Sequence, residues 1–362
     1  LVFSGNGEHV NNFMIDLYLM GEGEEEILRQ EFVRLEPEQF SRKLDSLSKQ
    51  KMQELETIQE EGDLSAMAYD MARASIQYKN YYYKEGYPFW HKKQSGDHIL
   101  HDLPEDFYAY RKEVSYQDPN LTFLKPYYDF MIFHIGNLAY MGCREKCAGK
   151  TEEVRDQLHF NRHQLQLIDS LIPEQELKDN LFRTVAFNYL LKHDTERNFR
   201  TFMEDFHRRS ANNRHLDEIK NLHSNIQKLR PGHSLPMLPL LDMDGEERIL
   251  SNIPMGNDRT VLYFWSGPQI QHLENITQRV RELKASDQYR DYTFVGICLR
   301  TDPGRWKELV AQYRLDPDNQ YWAEDFDAFA HTLIVYHPFK SIVVENGKIL
   351  DGFASLNTSF AQ

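Results

Sequence analysis

From Asn11 to about Leu229 the apolar residues keep a helical period. Between Pro37 and Gly62, Phe40, Leu44, Leu47, Met52, Leu55 and Ile58 recur at steps of three to five residues on a charged background. That spacing predicts one long amphipathic helix. Leu64 to Tyr83 predicts a second, and Gly86 to Pro119 an irregular region broken by Pro88, Gly96, Pro104 and Pro119. Leu121 to Met141 is apolar enough for a buried helix. Further stripes follow: Val154, Leu158, Leu165, Ile168 and Ile172; then Leu177, Leu181, Val185 and Tyr189 after Pro173. Thr195 to Ser210 predicts another helix, and Leu216, Ile219, Leu222, Ile226 and Leu229 mark the last. Residues 11–230 are therefore expected to form an α-helical domain of about eight helices, after a lead-in or remnant strand at 1–10.

The period changes beyond Arg230-Pro231-Gly232-His233-Ser234, which reads as a linker. Thr260 to Trp265 is short, apolar and rich in β-branched and aromatic residues, the composition of a strand buried on both faces. A Ser266-Gly267-Pro268 break leads to Leu273, Ile276, Val280 and Leu283 at helical spacing. Tyr292 to Leu299 predicts a second buried strand. Asp302 then serves as N-cap and Pro303 as first residue of a helix carrying Trp306, Leu309, Val310 and Tyr313. Ser341 to Val344, an Asn346-Gly347 turn and Lys348 to Gly352 predict a hairpin.

Two β–α units and a hairpin in this order resemble the thioredoxin-like domain of the TlpA/ResA-type thiol-disulfide oxidoreductases of bacterial envelopes. Four segments carry the likeness: Leu235-Pro236 through Asp244-Gly245-Glu246, Leu262-Tyr263-Phe264-Trp265, Val295-Gly296-Ile297 with Thr301-Asp302-Pro303 and Trp306, and His337-Pro338 before the last hairpin. The resemblance implies that residues 231–362 form a thioredoxin-like α/β domain, with Pro338 as its cis-proline. A helical region before such a domain is similar to the type found in Bacteroidota. It also implies an exported protein of the periplasm or cell envelope, whose signal sequence would precede this chain.

The family's redox motif is Cys-x-x-Cys, and at its place stands Gln269-Ile270-Gln271-His272; no cysteine falls between Cys147 and Cys298. Thiol-disulfide exchange needs a thiolate to attack and a second thiol to resolve. An amide and an imidazole do neither, so a redox-inactive protein that binds a peptide or protein partner is expected. The alternative is an oxidoreductase that uses Cys143 and Cys147, or a partner's cysteines.

Composition narrows the partners. Hydrophobic residues make up 41% and charged ones 27% of the 362 residues, which fits an ordinary globular chain of two or more domains. A net charge of −14, with both parts acidic, argues against nucleic acid or an anionic membrane surface. No apolar run approaches the roughly 20 residues that span a bilayer. Three cysteines are too few for a disulfide framework.

Candidate chemistry concentrates in a few places. In the family the cis-proline loop faces the redox motif across a groove that holds extended peptide. The resemblance therefore gathers Gln269, His272, Trp265, His337 and Pro338. Two imidazoles there would suit acid–base work or half of a metal site. No third ligand suggests itself, so neither a metal nor any other cofactor is expected, and an inert remnant is the plainer alternative. Cys143 and Cys147, at i and i+4, would suit a disulfide, two separate thiols or a relocated redox pair. His159 and His163 share a helix face without a third ligand. The run Tyr78, Tyr81, Tyr82, Tyr83, Tyr87, Phe89 and Trp90 reads as packing rather than a stacking platform.

Overall fold

A computed structural model describes residues 2–5, 7–61, 64–96, 100, 102–147, 157–192, 194–255, 259–337 and 339–360, with backbone alone at 22 and 144–147. The chain divides into two compact units, Leu1–Leu216 and Asp217–Gln362.

The first unit is helical. Its described helices are α1 (Glu8–Gln30), α2 (Pro37–Glu60), α3 (Ala66–Ser95), α4 (Lys125–Cys147), α5 (Leu158–Leu171), α6 (Gln175–Leu190) and α7 (Glu196–Arg209). Helix α1 begins inside the segment expected to be a lead-in. Pro37 opens α2 at a position where its missing N–H costs nothing, and Phe40, Leu44 and Leu55 form its buried stripe. The Ser65 hydroxyl caps α3 by accepting from the Ala68 N–H at 3.2 Å.

Helix α3 corrects the sequence reading, which ended it near Tyr83 and broke the chain at Gly86 and Pro88. It runs to Ser95 with Pro88 inside. An interior proline costs a helix about 3 kcal/mol. Against that stand Tyr78, Tyr81, Tyr83 and Tyr87, each less than a tenth exposed, and a buried side chain of that size contributes roughly 1.5–3 kcal/mol. Tyr87 stacks on Phe40 of α2 with ring centroids 4.2 Å apart. Gly86 is required here by packing: a β-carbon would come within 2.2 Å of the Trp90 ring.

The same unit buries a charged cluster. Glu85 of α3 is fully buried, and its carboxylate accepts from Arg111 Nε at 2.9 Å, Arg111 Nη2 at 2.6 Å and Asn137 Nδ2 at 2.6 Å. His134 Nδ1 lies 2.7 Å from the same carboxylate, and Tyr116 Oη lies 2.6 Å from His134 Nε2. Burial alone would raise the Glu85 carboxyl, but His134 and Arg111 reverse the effect and hold it below its ordinary value.

In the second unit α8 (Leu216–Lys228) precedes seven strands: β1 (Pro239–Leu241), β2 (Glu247–Ile249), β3 (Arg259–Ser266), β4 (Thr293–Leu299), β5 (Gln320–Trp322), β6 (Ser341–Glu345) and β7 (Lys348–Asp351). Helices α9 (Ile270–Ala285), α10 (Pro303–Gln312) and α11 (Phe326–Leu333) connect β3 through β6. The strands form one sheet in the order β2-β1-β5-β4-β3-β6-β7. Strand β3 is central, parallel to β4 on one side and antiparallel to β6 on the other. Parallel neighbours need a crossover, which α9 supplies, and that burial on both faces explains the unbroken apolar run in β3. The β3–α9–β4 crossover joined to the β6–β7 hairpin is a thioredoxin-like fold, set after an α-helical unit. The β1–β2 hairpin turns through Asp242 to Gly245, the glycine at φ +88°. Asp302 caps α10 through its carboxylate, with Pro303 first in the helix.

Candidate functional site

The end of β3 and the start of α9 meet where thioredoxin-like folds carry their redox pair. Gly267 N–H donates to Thr301 Oγ1 at 2.7 Å, and the Thr301 hydroxyl donates to Leu299 O at 2.8 Å. A β-carbon at 267 would fall 2.8 Å from the Thr301 methyl, so only glycine lets the turn lie against the end of β4. Gln269 is exposed and occupies the N-cap of α9 without a side-chain cap bond. Its N–H donates to Ser266 O at 3.2 Å. The helix therefore presents an amide where a thiolate would gain from the positive end of the dipole.

His272, half-buried on the first turn of α9, meets the Phe339 ring edge-on at 5.5 Å between centroids. His337 is exposed, 6.2 Å from the same ring, and its Nδ1 accepts from the Phe339 N–H at 3.2 Å. Both imidazoles thus gather on one phenyl ring. Pro338 lies outside the described residues, and with it the expected cis bond. Among the described residues no group of three His, Cys, Asp or Glu stands close enough to hold a metal ion.

Trp265 lies elsewhere than in a groove. It is 1% exposed, in the core of the sheet, and its indole N–H donates to Gln320 Oε1 at 3.1 Å. The Gln320 amide in turn donates to Tyr263 Oη at 3.0 Å. A tryptophan in a doubly covered strand needs a partner for its N–H, and Gln320 in β5 supplies one; Trp265 therefore supports the site from beneath and offers a peptide no surface.

Two features of this end escaped the sequence reading. Lys340 is 5% exposed, and its ammonium group donates to Gly352 O. Burial pushes its pKa down to about 7, with Asp351 opposing. The only sequence signal was a lysine set directly against the apolar run of β6. Ile334 adopts φ +56°, a left-handed conformation that strains a β-branched residue, three positions before His337.

Of the cysteines, Cys298 is fully buried in β4, and burial pushes its thiol up to about 12, with Thr301 opposing. It holds its proton at neutral pH and gives no thiolate. Cys143 is buried in the helical unit with Sγ 3.1 Å from His163 Nδ1. The Cys147 side chain lies outside the described residues, so the pairing of Cys143 with Cys147 does too. His163 and His159 border a polar pocket of about 440 Å3 with Arg162, Asp205 and Arg209. The aromatic run on α3 is packed inside the helical unit, as in the 4.8 Å edge contact of Tyr78 with Tyr127.

No protein-family model matches the chain, and no curated protein does. Among solved structures it is similar to a thioredoxin-like protein from Bacteroides caccae, at 13% identity and a TM-score of 0.39 over 72% of this chain and 95% of that one. It is also similar to the thioredoxin domain of a thiol-disulfide oxidoreductase from Bacteroides vulgatus, at 17% identity and a TM-score of 0.28 over 34% of this chain and 86% of that one. At scores this low the fold class rests on the chain's own strand order. No helix among the described residues is long and apolar enough to cross a membrane.

Proposed function

We propose that this is a redox-inactive thioredoxin-fold protein of the cell envelope that binds an extended peptide or protein segment beside the 337–340 loop. The observation that carries the reading is the start of α9, where an exposed glutamine and a half-buried histidine stand in place of two thiols. Cys298 cannot substitute, being buried and protonated. What remains at this end is an exposed amide and an exposed imidazole, which can hydrogen-bond to a peptide backbone, and the side of a phenyl ring, which can pack against its side chains.

Two measurements test it. Insulin reduction by dithiothreitol should run no faster with the protein than without it. Amide shifts on adding carboxymethylated insulin B chain, an extended peptide with blocked cysteines, should cluster at Gln269, His337 and Phe339; shifts confined elsewhere would remove the binding site from this loop. The imidazole 3.1 Å from the Cys143 sulfur supports a second reading, thiol-disulfide exchange through Cys143 with Cys147 or a partner's cysteine as the resolving thiol, which requires the buried Cys143 to become accessible to substrate. Accelerated insulin reduction that disappears in Cys143→Ser would establish that reading and end the first.

A further inference from the structure

Tyr116, half-buried in the segment before α4, places its hydroxyl 2.6 Å from His134 Nε2. The other nitrogen of that ring, Nδ1, lies 2.7 Å from the Glu85 carboxylate, and the imidazole is 1% exposed. A phenol, an imidazole and a carboxylate thus stand in line, from the surface of the helical unit to its centre, and the thioredoxin-like site uses none of them.

Charge fixes where the protons are. Glu85 is held below its ordinary pKa, so it is an ion that can only accept, and His134 Nδ1 carries the proton between them. Arg111 already matches that ion through two hydrogen bonds. A second buried cation would find no counter-charge, so the imidazole is neutral and its Nε2 is a free base. Burial, with Arg111 opposing, keeps Tyr116 above its ordinary pKa; its O–H is intact and donates to Nε2. Phe130 stacks on His134 with centroids 5.0 Å apart and covers one face of the ring.

A phenol gives up an electron more readily when a positioned base takes its proton in the same step. Comparable tyrosines have poorer acceptors. Tyr81 and Tyr189 donate to carboxylates, to Glu113 at 2.8 Å and Asp194 at 2.5 Å, and a carboxylate is a weaker base than imidazole by about 2 pKa units. Tyr336 meets His331 at 3.0 Å, but both are exposed and water competes for each.

We propose that Tyr116 is a one-electron donor to outer-sphere one-electron oxidants, with His134 as the acceptor of its proton. The oxidant gains one electron, the Tyr116 O–H bond breaks, and the proton moves to His134 Nε2. A neutral phenoxyl radical is left beside an imidazolium that Glu85 holds; an electron returned to the ring brings the proton back. This chemistry is separate from thiol-disulfide exchange and from the peptide reading above, and holds or fails without either.

The probe is photogenerated tris(bipyridine)ruthenium(III) acting on the full chain, with the phenoxyl followed by its absorption and identified by electron paramagnetic resonance. Phenoxyl formation should be slower in D2O than in H2O, because the proton moves with the electron. Tyr116→Phe should slow it at least about tenfold, the factor expected when half of a 2-unit difference in acceptor basicity appears in the rate. His134→Gln keeps a polar partner without a base; it should slow formation by as much and remove the isotope effect. Tyr81→Phe and Tyr336→Phe should leave the rate unchanged. Rates are read well below each variant's unfolding midpoint, so a less stable His134→Gln does not blur them. The proposal falls if Tyr116→Phe forms phenoxyl at the wild-type rate, if either control variant loses the signal, or if the wild-type rate is the same in D2O. A wild-type rate and isotope effect in His134→Gln would send the proton to water and overturn it as well.

Discussion

At the centre of the helical unit sits a carboxylate, Glu85, ringed by Arg111, His134 and Asn137. At the centre of the thioredoxin-like sheet the buried polar groups are neutral: the Trp265 indole, the Gln320 amide and the Tyr263 hydroxyl joined in a chain. The charges and imidazoles of the second unit lie mostly at its periphery, and the side chains at the redox positions are exposed or half-exposed. A buried charge is tolerable only while its partners remain, whereas an apolar core with one amide relay survives changes at its rim. The helical unit has thus placed polarity where it governs stability. The thioredoxin-like unit has placed it where a ligand would meet it.

The largest effect should come from breaking the Glu85 cluster. Glu85→Ala leaves Arg111 and His134 facing each other without an anion, and losing one partner of a buried pair typically costs about 3–5 kcal/mol. Hydrogen exchange at α3 and α4 amides should report the loss without interference from the other unit. Replacing Arg111 by Met in the Glu85→Ala background should recover part of it, because the stranded cation goes too. If the double variant is simply the sum of the two singles, the groups are uncoupled and the contrast between the units collapses. The folded-state pKa of Glu85 lies below its unfolded value, so its contribution is present above roughly pH 4.3 and fades as pH falls through the folded value.

Much of this layout was legible in the sequence, and the gaps have a common cause. The β3 run, the Asp302 cap, the Asn346-Gly347 turn and the helical stripes were readable because each is decided within a few residues. Gly86 and Pro88 misled because local punctuation was outweighed by the packing of Tyr87 on Phe40, which lies on another helix. Glu85, Arg111 and His134 stand far apart in sequence and look like three ordinary polar residues on helix or loop surfaces. At the site, Gln269 and His272 could be placed by counting from Phe264-Trp265. The meeting of His272 and His337 on Phe339 needed the sheet, since β6 returns beside β3 only after α9, α10 and α11 have been threaded.

Lys340 blurs the contrast and gives the next test, of intermediate size. Burial drives Lys340 well toward neutrality, with a folded pKa of about 7 against an ordinary value of 10.5. Between those values the unfolded chain binds a proton that the folded chain does not. Stability of the thioredoxin-like unit should therefore rise with pH across about 7 to 10.5, by at most about 1.4 kcal/mol per pH unit, and be flat in this respect below 7. Lys340→Met should flatten that rise, read as urea midpoints between pH 7 and 9 at amides of β6 and β7. An unchanged slope would mean that Lys340 stays charged in the fold and that this unit, too, carries a buried ion.

The smallest effect should fall where the chemistry once expected of this fold would sit. Gln269 caps nothing with its side chain, and His337 is exposed, so Gln269→Ala and His337→Ala should each change unfolding free energy by less than about 0.5 kcal/mol. His272 is half-buried against Phe339 and should lose more when truncated, about 1 kcal/mol. That gradient separates two accounts of the same residues. Side chains that contribute nothing to folding, yet whose removal erases the amide shifts caused by a blocked peptide, are held for a ligand. Should Gln269→Ala cost more than 1 kcal/mol, the start of α9 is a structural element like the Glu85 cluster, and the division of labour between the units disappears.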